Sequence, residues 1–335
     1  MALLRDIKRK KLWIFISLLV ITFFSILFAM TFGPAQITSF DVMQCLVNEC
    51  ATSMQNTIIW QVRIPRVLVG LVAGMGLACA GAILQNVTRN PLADPYLFGI
   101  ISGAGLGATL SMLIFTDQNI IALPLAAFLG SLFSVVIVFG IAVLLRNMNH
   151  LLLTGVAVSF MLGSISHFML YLGDPFATNR VIFWLMGSLT RVEMPHFYLI
   201  GTMVFITLIT ILALHRHIDA MLLGDESAAS LGVNINKLRL TLLMLCAAVT
   251  ATIVAYCGGI GFVGLMVPHI VRQLVGVKTM PLIIGSALVG GCFLIWVDVL
   301  ARSVLNNVEI PIGIITSAIG SIFFLAIMYR MRKTG

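Results

Sequence analysis

The sequence predicts an all-α integral membrane protein, a single bundle of about ten transmembrane helices occupying residues 1–335. Three observations predict it. Of 335 residues, 60% are hydrophobic and 10% charged, with a mean hydropathy of +1.10, whereas a soluble domain carries about 25% charged residues. The apolar residues form continuous runs of helix-spanning length, as at 12–30, rather than the ~10-residue alternating segments of a barrel strand. Lys and Arg are also segregated in a way that ten spans explain. A soluble enzyme, a disordered chain and a nucleic-acid-binding protein are excluded, despite a formal net charge of +8.

The spans are read in order. The first, near 12–32, comes after Arg5, Lys8, Arg9, Lys10 and Lys11. Its run exceeds a signal core and has no small-x-small cleavage site after it, so it is expected to be an uncleaved helix. The second and third, near 62–84 and 96–113, carry Gly70-x-x-x-Gly74, Gly99-x-x-x-Gly103 and Gly103-x-x-x-Gly107. Such small residues on one face let helix backbones approach closely. The 99–107 glycines superficially match a dinucleotide fingerprint but lack its strand and βαβ context. The fourth, near 120–145, is plainly apolar. The fifth, near 151–171, contains His167, either a ligand contact or a satisfied core histidine. The sixth and seventh lie near 196–214 and 239–256. The eighth, near 260–275, is short, opens among Gly258, Gly259, Gly261 and Gly264, and contains Pro268. Backbone groups freed by Pro must find partners inside a membrane, so this segment is expected to be buried in the bundle. The ninth, near 281–300, contains Asp298 one turn before Arg302, which reads either as an ion-pathway group or as a local i,i+4 pair. The tenth lies near 311–329.

With the N-terminus in the cytoplasm, fifteen of the twenty Lys and Arg residues fall inside, as the positive-inside rule requires. Both termini are then cytoplasmic. The five outside are all arginines: Arg63, Arg66, Arg180, Arg191 and Arg302. Either they snorkel or pair with local carboxylates such as Glu193 and Glu309, or they meet carboxylates on an external partner, where a planar fork suits bidentate pairing.

Several chemistries are absent. Lys278-Thr279 lacks the preceding glycine of a phosphate loop, and there is no H-E-x-x-H or closely spaced Cys/His ligand set. No metal site and no resident cofactor are expected in this chain. There is neither an arginine ladder nor a carboxylate relay, so a voltage sensor or an ion-coupled carrier finds little support. Cys79, Cys246, Cys257 and Cys292 read as small apolar residues. Cys45 and Cys50 share the first outer loop and are either bridged or free.

The longest inner loop, 224–232, has a helical pattern of its own. Gly224 precedes Asp225 and Glu226, acids suited to a helix N-terminus. Ser227, Ala228, Ala229, Ser230 and Leu231 come next, with Ala228, Ala229 and Leu231 giving a small apolar face, and Gly232 stands where a C-terminal cap belongs. This short helix is either a connector resting on the bundle or a plug for a cytoplasmic subunit.

Five stretches carry a resemblance. They are Arg63-Ile-Pro-Arg66, the run from Gln85 through Asn90-Pro-Leu-Ala-Asp-Pro95 into Gly99–Gly107, the 224–232 loop, the run from Gly261 to Arg272 with Pro268-His269, and Glu309-Ile-Pro-Ile-Gly313. In them the sequence resembles the permease subunits of ABC importers for iron-siderophores, haem and vitamin B12. The resemblance implies a vitamin B12-importer-like permease fold in a bacterial inner membrane, with helices two to five and seven to ten as inverted repeats. It implies two cytoplasmic ATPase subunits that hold the ATP and Mg, a second permease copy, and a periplasmic substrate-binding protein. It casts 224–232 as the coupling helix, and Arg63, Arg66 and Arg302 as partners for the binding protein's glutamates. Leu92 and the loop at Asn149 are cast as gate; His167 is a pathway candidate from its place within the fifth span, not from the resemblance. The cargo implied is a ferric siderophore or haem, then cobalamin or an oxyanion. A secondary transporter and a non-transporting membrane anchor are the readings from other classes.

Overall fold

The computed structural model describes residues 2–35, 37–47, 50–114, 122–144, 150–305 and 308–334, and among them there is no strand. The helices are α1 (Ala2–Ala29), α2 (Ser39–Val47), α3 (Ser53–Thr57), α4 (Ile64–Thr88), α5 (Ile100–Ile114), α6 (Ala122–Leu144), α7 (His150–Leu172), α8 (Pro175–Leu185), α9 (Met194–Leu222), α10 (Asp225–Ser230), α11 (Ile235–Cys257), α12 (Val263–Val275), α13 (Thr279–Ser303) and α14 (Ile312–Thr334). A π-helical turn, Ile58–Arg63, joins α3 to α4, and a 3-10 turn, Pro95–Phe98, leads into α5. Among the described residues eight helices are long and apolar enough to cross a membrane. The shorter apolar helices α5 and α12 complete the expected ten.

Helix α4 is the axle. In its apolar window 78% of residues are buried, against 17% for α1 and α14, and α9, α11, α12 and α13 all pack on it. Small residues make that possible. A Cβ on Gly74 would lie 2.2 Å from the Gly290 carbonyl oxygen of α13, and one on Gly81 would lie 1.8 Å from the Gly264 carbonyl oxygen of α12. The expected Gly103 and Gly107 contacts are present too, against Gly130 and Ala126 of α6. Gly99 departs from expectation: it precedes α5 with φ +73° and ends the 3-10 turn instead of lining a helix face.

The Pro268 segment is buried as the sequence requires, with Gly264, Val267, Pro268 and Val271 all inside. Pro268 has no N–H to offer the Gly264 carbonyl one turn earlier. Gln85 of α4 supplies the donor, its Nε2 lying 3.3 Å from that oxygen and 3.2 Å from the Leu265 oxygen. Arg272 then fixes Gln85 and Asn86 by donating to Oε1 (3.0 Å) and Oδ1 (3.2 Å).

Three short helices outside the ten spans escape the sequence reading. Each has a capping signal. Asp174 accepts from Ala177 N–H and Pro175 is the first residue of α8, the usual helix opening. Thr38 and Asp41 bond reciprocally at the start of α2, a capping-box arrangement, and Thr52 caps α3. Cys45 and Cys50 are disulfide-bonded and pin α2 to the segment before α3.

Candidate functional site

The bundle has a polar cluster at each end. The N-terminal end gathers the start of α1, the end of α4, α10, and the junction of α12 with α13. The far end gathers the end of α1, the start of α4, the end of α13 and the segment before α14.

At the far end the three arginines expected to face a partner are turned inward. Arg63, Arg66 and Arg302 are only 3%, 6% and 5% exposed. Helix α1 ends here, and its last carbonyls have no intrahelical donors. Arg302 donates to Ala29 O (2.9 Å) and Phe32 O (3.2 Å), and Arg63 donates to Met30 O (2.5 Å) and Ala35 O (2.5 Å). Cations at a helix C-terminus also oppose the negative end of its dipole. Arg66 forks onto Glu309 at 2.8 and 2.9 Å, and its Nε sits 2.9 and 3.0 Å from the two Asp298 oxygens. Asp298 also pairs with Arg302 at 3.3 Å across one helical turn. The local reading of these groups is therefore the geometry found. Asp298 is a structural counter-ion, and Glu309 is the nearby carboxylate that Arg66 uses. Glu193 instead caps α9 with His196. Among the described residues three guanidinia stand against two carboxylates in this cluster, Arg63 bonding to backbone carbonyls alone, which leaves positive charge in excess just beneath the rim. Arg180 and Arg191 are the exposed arginines of this end.

At the N-terminal end α10 forms as the sequence pattern demands. Gly224 stands at its N-cap with φ +119°, a backbone that L side chains rarely adopt. Gly232 takes φ +80° beyond its last turn. There Val233 N–H bonds to Ala228 O and Gly232 N–H to Ala229 O, the paired bonds of a Schellman C-terminus. Only Ala228 of this helix is buried. Glu226, Ser227, Ala229 and Ser230 are exposed, as are the flanking Leu223 and Leu231. The expected apolar face is thus narrower than one turn's worth, and two leucines point outward.

Asp225, the first residue of α10, pairs with Arg89 and lies 3.3 Å from Arg239 of α11. Arg89 also donates to Met221 O at the end of α9 (2.8 Å). Nearby, Asp219 of α9 accepts from Thr279 N–H (2.8 Å) and Oγ1 (2.6 Å), capping α13. In the sequence Arg89 and Arg239 count only as inside cations. Nothing in their spacing marks them as partners of a residue 136 or 14 positions away.

The remaining expected positions divide. Leu92 is 59% exposed in the turn after α4, where Asn90 accepts from Leu92 N–H and Ala93 N–H. Asp94 closes that turn by accepting from Tyr96 N–H, and burial pushes its carboxyl up to about 6. Asn149 lies outside the described residues. His167 is exposed on α7, on a face with Met161, Ser164, Phe168 and Tyr171, so the core-histidine alternative is not the one found. Among the described residues no group of His, Cys, Asp and Glu is placed to hold a metal.

Comparison with known proteins adds to this geometry. The model of the FecCD transport family matches residues 19–330. The chain is 40% identical over 284 residues to the Fe(3+)-citrate import system permease YfmE of Bacillus subtilis, covering 82% of this chain and 83% of that protein. It is 37% identical over 281 residues to the hemin transport system permease HmuU of Yersinia pestis, covering 82% and 84%. A solved structure described as an inward-facing ABC transporter of the metal-chelate type superposes with a TM-score of 0.85 at 29% identity, covering 95% of this chain and 99% of that one.

Proposed function

The chain belongs to the FecCD transport family of ABC importer permeases, a non-catalytic transport subunit, and from that premise we propose that it carries a metal chelate from the periplasm to the cytoplasm by alternating access. A ferric siderophore, ferric citrate included, or haem is the first choice of cargo. Relatives named for ferric citrate and haemin, each covering about four fifths of this chain, support it. Cobalamin stands next.

The observation that carries the reading is α10. A short helix capped at both ends, holding one residue in its own bundle and presenting Leu223 and Leu231 outward, is built for an outside partner. We assign that partner as a cytoplasmic ATPase subunit, one for each of two permease copies, with ATP and Mg held there. Residues 224–232, from Gly224 to Gly232, are then the coupling helix. The N-terminal end, rich in Lys and Arg, faces the cytoplasm, so both termini do, and the membrane is the bacterial inner one.

The far end receives the substrate-binding protein. Its carboxylates are drawn by the positive excess of Arg63, Arg66 and Arg302. Because those side chains already have acceptors, the partner competes with Glu309 for Arg66 and with backbone carbonyls for Arg63 and Arg302, and meets Arg180 and Arg191 first. Leu92 and Asn149 serve the inner gate, and the exposed face of α7 with His167 lines the pathway. An imidazole and a hydroxyl are costly against lipid, whereas a water-filled path accepts them.

Helices α4–α7 and α11–α14 are inverted repeats in this reading. The second helix of each set is the short one, of 15 and 13 residues. Each is preceded by a residue with left-handed backbone, Gly99 (φ +73°) and Phe262 (φ +66°). Short or interrupted helices at corresponding positions of two halves are a mark of repeat-built transporters.

The test is ATPase activity of the co-purified complex in lipid discs, with the binding protein loaded in turn with haem, a ferric siderophore and cobalamin. Stimulation by one cargo supports the importer and names its substrate. A complex that contains an ATPase but answers to none of them redirects the search to an oxyanion. Failure to co-purify any ATPase returns the ion-coupled carrier.

A further inference from the structure

We propose that Arg89 is the positioning residue that straps the coupling helix α10 to the gate turn after α4, so that displacement of α10 moves Leu92. This rests on the importer reading for its purpose, although not for its geometry.

Three observations meet at this side chain. First, Arg89 has φ +50° and ψ +31° at the C-cap of α4, a left-handed backbone that Gly or Asn occupies at lower cost. A costly backbone held by a long charged residue points to a use for the side chain. Second, that side chain reaches two other elements at once. It bonds to Met221 O, in the last turn of α9, and to Asp225, the first residue of α10. Third, the link spans a cleft. A cavity of about 430 Å³, lined by Thr88, Asn90, Leu151 and Leu243 among others, lies between the end of α4, α10 and the first turns of α7 and α11. The packing of α10 is against α9 and α11, so its described polar tie to the α4 end passes through Arg89.

The turn immediately after Arg89 is tied together by its own hydrogen bonds. Asn90 accepts from both Leu92 N–H and Ala93 N–H, and Asp94 accepts from Tyr96 N–H. A pull at residue 89 is therefore delivered to Leu92. Arg239 holds the same Asp225 carboxylate at 3.3 Å, from α11, and among the described residues has no bond to the gate turn. It anchors α10 without linking it to the gate. The Arg89–Asp225 pair is about half exposed, 44% and 46%, and exposed pairs add little to stability. A link that travels during the transport cycle needs direction more than strength.

The experiment places nitroxides on Leu92→Cys and Ser230→Cys, in a background with Cys292→Ala, and reads their distance by pulsed EPR in lipid discs. In the permease alone, the distribution should be narrow in the parent and in Arg239→Ala, and broadened in Arg89→Ala. The exchange Arg89→Asp with Asp225→Arg should narrow it again. An unchanged distribution in Arg89→Ala overturns the strap. In the complex with ATPase, ATP and vanadate should shift Leu92 in the parent, and the shift should be lost in Arg89→Ala. A broadened distribution with the shift retained also overturns it. No ATP-driven shift in the parent counts against the importer reading, and the strap is then judged on the permease alone. If Arg89→Ala does not fold, the isosteric Asp225→Asn is read in its place by the same criteria, with Arg239→Ala as its control.

Discussion

Replacing Gly81 by Ala should separate α4 from α12 and unseat the polar joint next to them. The added Cβ would lie 1.8 Å from the Gly264 carbonyl oxygen and 2.5 Å from its Cα, and both are backbone atoms that no rotamer change can remove. Reaching ordinary contact requires the helices to part by ~1.5 Å. Gln85 sits one turn further along α4, with its two bonds to α12 already at 3.3 and 3.2 Å. A parting of that size breaks them and leaves the carbonyl freed by Pro268 without a donor. Overpacking of this kind costs about 1–3 kcal/mol, and an unsatisfied buried acceptor costs about as much again. The better helix propensity of Ala returns about 1 kcal/mol, so the net loss is about 1–5 kcal/mol. Gly140 of α6 is the built-in control, since a Cβ there meets nothing within 4 Å. The assay is the midpoint of SDS-induced unfolding from mixed micelles for Gly81→Ala and Gly140→Ala side by side. Gly140→Ala should be neutral or slightly stabilised. If the two variants unfold together, the close approach of α4 and α12 is not what holds the axle in place.

Other expectations rest on the same structure. Asp298→Ala takes from buried Arg66 and Arg302 the carboxylate they share, and loss of one partner from such a network costs about 3–5 kcal/mol; a midpoint like that of the parent protein would contradict it. Asp94 has its carboxyl raised by burial from 3.8 to about 6, so the ionised form is disfavoured in the fold. Stability should therefore fall as pH rises between about 4 and 6, and Asp94→Asn should flatten that dependence in unfolding curves taken across the window. Replacing residues 225–231 with a Gly/Ser linker should abolish stimulation of ATPase activity by the loaded binding protein; stimulation that survives would remove the coupling role from α10.

The ten spans are legible because length, hydropathy and positive charge all depend on the membrane, which acts on every span alike. The caps of α10 are legible because they are local: Gly224, Asp225 and Gly232 act on backbone within one or two turns of themselves. Capping signals at Thr38, Thr52 and Asp174 are equally local but easily passed over, since short helices outside the spans leave no hydropathy trace. The arginines are a different matter. Composition marks Arg63, Arg66 and Arg302 as anomalous, but the acceptors of Arg63 and Arg302 are carbonyls of the 29–35 segment, and a carbonyl has no sequence signature. The glycine pairs divide similarly. The 3–4 spacing of Gly103 and Gly107 is visible along one helix, whereas Gly81 and Gly264 are paired only by the fold. Arg89 is hidden for both reasons at once, as an ordinary inside cation whose partner lies on another helix and whose backbone conformation no composition foretells.

The way α1 ends has a bearing on how the chain is made. Its terminal carbonyl at Ala29, and that of Phe32 just beyond it, wait for Arg302, which lies 273 and 270 residues further on. At synthesis rates of about 5–20 residues per second, that interval is on the order of tens of seconds. Arg63, 33 residues after Met30, emerges within seconds and reaches Met30 and Ala35. The first helix is thus finished in two instalments during translation. The early one joins Arg63 to Met30 and Ala35, and the late one joins residues 29 and 32 to Arg302, so a chain that stops before the ninth span lacks the second set of donors for the end of α1.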